Sequence, residues 1–161
     1  MKQIFVLLFA ISMMACSGGG DPAPTPTPTP PTPTVSVATL VKKVWTASSV
    51  QWDGVTKYDK SSTTNVVQGY SQYKLDLSTA GSVTLTEFDG KIFTGTYTVA
   101  TDGNSLTLNG LTSAEGAPTG TGGTITYSIL STPTATGLSL QQSTAYVKAS
   151  SAIVKLALVN P

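Results

Sequence analysis

Between Val44 and Val159 the chain is a series of short runs that change character at every second residue. Tyr73, Leu75 and Leu77 alternate with Lys74 and Asp76, and Phe93, Gly95, Tyr97 and Val99 alternate with Thr94, Thr96 and Thr98. A period of two places one set on each face of a β-strand and is incompatible with an amphipathic helix. Turn dipeptides punctuate the alternation at Asp53-Gly54, Asp89-Gly90 and Asp102-Gly103. Asp-Gly between alternating runs is a strong hairpin signal, because both residues tolerate a positive φ. Three such turns in order predict a meander of antiparallel neighbours.

The strands expected are Val44–Trp52, Val55–Tyr58, one or two between Val66 and Leu77, Val83–Phe88, Ile92–Val99, Leu106–Asn109, Ile125–Leu130, Gly137–Gln142 and Ile153–Val159. Val83/Leu85, Leu106/Leu108, Ile125/Tyr127/Ile129 and Leu138/Leu140 continue the apolar face. Thr84/Thr86, Thr107, Thr124/Thr126 and Ser139/Gln141 continue the wet one. Threonine suits that face because it is β-branched yet hydrogen-bonds to water. The fold class is all-β: an antiparallel up-and-down barrel or strongly curled meander of about eight to nine strands. A short N-terminal helix is expected over 35–43, with Val37, Leu40, Val41 and Val44 at helical spacing and Ser36 as its cap. The exposed loops are Asp59–Thr64, Gly110–Gly123 and Ser143–Ser151.

Ahead of this domain (35–161) the chain changes composition twice. Met1-Lys2-Gln3 is a positive head, and Ile4 to Met13 is an apolar run too short to span a bilayer, the layout of a cleaved secretory signal over 1–15. The lone cysteine, Cys16, follows it at once. Residues 16–34 form a tether, Ser17-Gly18-Gly19-Gly20 and then a Thr-Pro repeat. Alternating prolines favour an extended, coreless conformation. At ~3.1 Å per residue, Asp21 to Thr34 would hold the domain roughly 40 Å from its point of attachment. The tether is alternatively a proline-rich ligand for a partner's aromatic groove.

Met13-Met14-Ala15-Cys16 resembles the lipobox of bacterial lipoproteins, with Met13 where leucine is usual. The resemblance implies diacylglycerol on the Cys16 sulfur, cleavage before Cys16 and an N-acyl chain such as palmitate on the new amine. The covalent lipid is then the only prosthetic group, and the membrane is the first partner. Ser17 rather than an aspartate after Cys16 implies the outer membrane, at its periplasmic face or the cell surface. The rival reading is a free or buried thiol that follows a signal.

A second resemblance covers nearly all of Leu40 to Pro161. Lys43-Val44-Trp45, Tyr73-Lys74-Leu75-Asp76-Leu77, Gly95-Thr96-Tyr97, Asn104-Ser105-Leu106-Thr107-Leu108, Ile125-Thr126-Tyr127-Ser128-Ile129 and Gly137-Leu138-Ser139-Leu140 are similar to the lipocalin-like domains of Gram-negative surface lipoproteins. In lipocalins proper a Gly-x-Trp opens the first strand, and an arginine on the last strand packs over that tryptophan. Here Lys43 takes the glycine's place, and arginine is absent from the chain.

Little catalytic chemistry is on offer. The chain has no histidine, which removes Ser-His-Asp and Cys-His catalysis and the usual zinc shells. Asp53, Asp89 and Asp102 sit in turns, where aspartate accepts local backbone hydrogen bonds. Glu87 falls in phase with Val83 and Leu85, and just before a turn it is expected at a barrel mouth, in water. Asp102-Gly103-Asn104 has too few oxygen ligands for calcium, and Gly116–Gly123 lacks phosphate-loop spacing. No enzyme, metal or cofactor is expected. The formal net charge is +1 and the lysines are scattered, which excludes a nucleic-acid surface.

Aromatic residues are the remaining binding candidates, Trp52 and above all the five Trp45, Tyr73, Phe93, Tyr97 and Tyr127, which either line a pocket or fill the core. Gly95, amid the inward row, either leaves room for a ligand or marks a bend. Two functions follow. In the first, a lipid-anchored envelope lipoprotein binds a small apolar or amphipathic ligand inside its lipocalin-like barrel. In the second, the barrel is filled, and a non-enzymatic accessory lipoprotein meets a protein or glycan partner through its loops. A cavity of several hundred Å³ or its absence separates them.

Overall fold

The computed structural model describes residues 35–161. The signal segment, Cys16 and the tether lie outside the described residues. The first element is a single helical turn, α1 (Val37–Leu40). Ser36 caps it as expected, its hydroxyl accepting from the Thr39 amide at 3.3 Å. It is shorter than the expected 35–43 because so few hydrogen bonds cannot sustain a helix alone. Its anchor is Val41, just past its end and fully buried.

Nine strands follow: β1 (Val44–Trp52), β2 (Val55–Asp59), β3 (Lys74–Asp76), β4 (Ser82–Thr86), β5 (Ile92–Val99), β6 (Ser105–Thr112), β7 (Ile125–Ile129), β8 (Gly137–Gln142) and β9 (Val154–Val159). From β3 onward each pairs antiparallel with the next. β1 takes β3 on one edge, with Trp45 opposite Leu75. Its other edge takes β9, from Thr46↔Val159 to Trp52↔Val154. That second ladder closes eight strands into a barrel, rather than leaving an open meander. β2 is the extra strand. It pairs with the far half of β1, Ser49–Trp52, beyond the reach of short β3. Asp53 (φ 46°) and Gly54 (φ 80°) supply the two left-handed residues of this tight hairpin.

One expected stretch of strand is absent. Gln68–Gln72 forms a 3₁₀ turn instead. β2 already occupies the edge of β1 that this segment would need, so no ladder remains to satisfy an extended backbone there. The turn carries Tyr70 into the barrel's end, where it is buried with Phe88 at 4.8 Å and Trp52 at 6.5 Å between ring centroids.

The predicted faces hold. Every apolar residue assigned inward is buried or packs half-buried against one core cluster. Gly95 resolves as a bend: the β5–β6 register slips between Thr94 and Thr96. A Cβ at Gly95 would stand 2.5 Å from the Asn109 carbonyl oxygen, so glycine is what lets the two backbones close at this bulge.

Strand direction defines two ends. Near α1, Trp45 donates its indole N–H to the Val41 carbonyl at 2.8 Å. The Lys43 ammonium lies 5.9 Å from the Trp45 ring centroid and donates to the Ala135 carbonyl. A cation therefore does cover this tryptophan, supplied two residues upstream. The other end holds the β4–β5 turn and the loop joining β8 to β9.

Core and wet face differ sharply in what they contribute. Leu75→Ala should lower unfolding free energy by about 2–5 kcal/mol, and exposed Thr94→Ala by no more than about 0.5 kcal/mol; urea denaturation monitored by tryptophan fluorescence checks both.

Candidate functional site

The polar chemistry of the domain gathers at the end opposite α1. Period two along β4 turns Val83 and Leu85 inward and carries Glu87 in with them. Glu87 is not in water, as its place before a turn suggested: it is 2% exposed. What covers it is the loop after β8. A 3₁₀ turn at Val147–Ala149 folds that loop across the barrel's end. The Tyr146 hydroxyl donates to Glu87 Oε1, and Lys148 Nζ donates to Oε2. Lys148 also reaches Asp89 Oδ2 at 2.7 Å. Ser150 (φ 56°) and Ser151 (φ 60°) bring the chain back toward β9. Two consecutive non-glycine residues in the left-handed region cost of order 1 kcal/mol each, which the contacts on Glu87 offset.

The turn aspartates divide. Asp89 accepts from the Lys91 amide at 3.1 Å and Asp102 from the Asn104 amide at 3.0 Å, both locally as expected. Asp53 instead accepts from the Ile153 amide at 2.9 Å, pinning the β1–β2 hairpin to the start of β9.

Burial pushes the Asp89 carboxyl up, but hydrogen bonds from Lys148 and the Lys91 amide outweigh it and leave the group below its ordinary value. Burial likewise pushes Lys148 down, and Asp89 and Glu87 together raise it above its ordinary value. Tyr146 is raised by burial and then by its bond to the Glu87 carboxylate. Beneath this layer the Tyr73 and Tyr127 hydroxyls lie 3.5 Å apart. Burial pushes Tyr127 up to about 12 and Tyr73 well above the usual phenol range. All three are neutral phenols at pH 7.

Between these groups is a cavity of about 10 Å³, bordered by Tyr70, Tyr73, Glu87, Tyr127, Gln142 and Tyr146. That is space for one water molecule at most. Gln142 Oε1 is buried on its wall and has no hydrogen-bond partner in the described chain.

The five aromatic candidates do not converge. All are at most 6% exposed. Tyr73 and Tyr127 reach the polar end, and Phe93 lies under Lys148, whose ammonium is 5.7 Å from the ring centroid. Trp45 is at the α1 end, and so is Tyr97, whose hydroxyl donates to the Leu77 carbonyl at 3.2 Å. The polar cluster instead includes Tyr70, Gln142, Tyr146 and Lys148, none of which was singled out from the sequence. Gln142 was discoverable, because it continues the Leu138/Leu140 phase as Glu87 continues that of Val83/Leu85. Tyr146 and Lys148 reach the cluster through a loop, which carries no such phase.

No family model matches the chain, and no curated protein matches it. Two solved structures are similar to it in part. A lipocalin-like protein from Bacteroides uniformis is similar at 14% identity and a TM-score of 0.47, over 76% of this chain and 99% of that one. An uncharacterized protein from Bacteroides eggerthii is similar at 13% identity and a TM-score of 0.44, over 74% and 98%. The architecture described above rests on the ladders of this chain alone.

Breaking the ion pair from one side strands a buried carboxylate. Lys148→Met should destabilise by about 3 kcal/mol, and most of that loss should vanish in a Glu87→Gln background, as a double-mutant cycle in urea would show. The pH dependence has a definite sign. Asp89, held low, stabilises above its ordinary value of 3.8 and loses its contribution as pH falls through its folded value. Lys148, held high, contributes fully below 10.5 and loses its part only as pH rises through its folded value.

Proposed function

We propose that the chain is a lipid-anchored envelope lipoprotein whose barrel is a solid, non-enzymatic accessory module that meets a protein or glycan partner through its loops. The observation that carries this reading is the filled interior. The cavity beside Tyr73 and Tyr127 measures about 10 Å³, whereas pockets that engulf small molecules run to roughly 300–1,000 Å³. A small apolar or amphipathic ligand among Trp45, Tyr73, Phe93, Tyr97 and Tyr127 would have to displace side chains that already pack one another, which leaves that reading with less support.

Polarity along the barrel supports the accessory role. Residues 35–38 meet the β5–β6 turn at 100–103, at the α1 end. The loops Gly110–Gly123 and Ser143–Ser151 lie at the other. Two or three acyl chains give a stable anchor where one does not. A catalytic role draws no support from the polar end, where both Glu87 oxygens are engaged by donors. No cofactor beyond the lipid and no nucleic-acid partner belong to this reading.

Cys16→Ser should abolish incorporation of radiolabelled palmitate and move the protein from the membrane to the soluble fraction. Chemical crosslinking in intact cells should trap the acylated protein with a larger partner. Recovery of monomer alone from both surface- and periplasm-directed crosslinkers would sink the interaction reading.

A further inference from the structure

The interior cavity at the loop end is small and polar for its size. Leu85, Val154 and Leu156 give it an apolar side, but four phenols, the Glu87 carboxylate and the Gln142 amide also border it. Its volume of about 10 Å³ is that of one water-sized sphere.

The hydrogen bonds around it do not balance. A phenol hydroxyl has one proton to give and lone pairs with which to receive. Tyr146 gives its proton to Glu87 Oε1, and Lys148 occupies Oε2. Tyr70 receives the Trp52 indole N–H at 3.0 Å, and among the described residues nothing takes the proton that Tyr70 has to give. The Tyr73 and Tyr127 hydroxyls are 3.5 Å apart, which is long for such a pair, and a bond between them uses only one of their two protons. Against these stands Gln142 Oε1, buried and without a donor in the described chain. Gln142 does draw the Tyr127 hydroxyl down in pKa, but that is the effect of its N–H side and leaves Oε1 unmet. The walls therefore carry two spare protons and one spare acceptor that do not meet one another.

We propose that this cavity is the site of one ordered water molecule, which donates to Gln142 Oε1 and accepts from at least one of the spare phenol protons. Water brings both of the things the walls need, a proton for the amide oxygen and lone pairs for the phenols. An ammonium ion is of similar size but brings only protons. It would leave the phenols unmet, and the Glu87 charge is already matched by Lys148. The inference concerns the interior and does not depend on the accessory reading.

The same water would exchange slowly. Beyond the cavity a groove of about 260 Å³ lies between the Gly-rich loop and the loop after β8. Only Gln142 and Tyr146 border both spaces. Tyr146 is thus the partition, and its bond to Glu87 holds it in place. The water leaves only when that side chain or its loop lifts.

A crystal structure of the full chain, at a resolution that orders waters, tests the position. One peak should stand within about 3.2 Å of Gln142 Oε1 and of a Tyr70, Tyr73 or Tyr127 hydroxyl. A cavity with no peak, or a Gln142 amide turned over so that Oε1 accepts directly from a phenol, overturns the proposal. Oxygen-17 magnetic relaxation dispersion on the detergent-solubilised full chain tests it in solution, because it counts waters held for longer than the protein takes to tumble. Gln142→Met keeps length and removes the amide, and it should lower that count by one. An unchanged count overturns the proposal, and the wild-type crystal decides alone if Gln142→Met fails to fold.

Discussion

An eight-stranded barrel is too narrow to stay empty without cost, and the need to fill it governs nearly everything else in this structure. Large side chains from every strand meet across the axis, so each inward residue is packed by residues distant in sequence. The closing β1–β9 ladder makes that interior inescapable. A closed ring of eight strands has an interior just wide enough for side chains to fill or for one small ligand, and here the side chains fill it. Gly95 shows the same pressure on the backbone, where the wall itself bends inward for want of a Cβ.

The filling is not uniformly apolar. Around α1 the interior is hydrocarbon and aromatic, and its polar atoms are settled by the Trp45 and Tyr97 bonds. At the far end a carboxylate, an ammonium, an amide and several phenols share one small volume. Low dielectric strengthens their mutual bonds and equally penalises any that is left alone. Glu87 is the member whose desolvation would cost most, and it receives the strongest donors. Gln142 receives fewest, and with Tyr146 it borders both the interior cavity and the outer groove.

Much of the fold was legible because β-structure with one dry face writes its geometry into alternation. The Asp-Gly turns, the inward set and all nine strands follow from that signal. Two features did not. Closure depends on Val154–Val159 meeting Thr46–Trp52, and nothing local in either segment names the other. The 3₁₀ turn at Gln68–Gln72 reads as strand only because it lies between Val66-Val67 and the alternating Tyr73–Leu77; Tyr70 alone among its residues is a β-former, and β2 already holds the edge of β1. The site was harder still. The aromatic candidates were rightly inward, yet the sequence does not distinguish a residue that lines space from one that removes it. Glu87 carried the right phase, but its cover came from a loop some sixty residues later, where no periodicity operates.

Closure by the first and last strands has a consequence in time. β1 is synthesised early, and its longest ladder is with the final strand. No ring exists until Val154–Val159 is available, and contacts of such sequence separation make folding slow. For the exported lipoprotein proposed above, that delay is useful. A nascent domain that cannot complete its barrel before Val154–Val159 is available remains threadable until then.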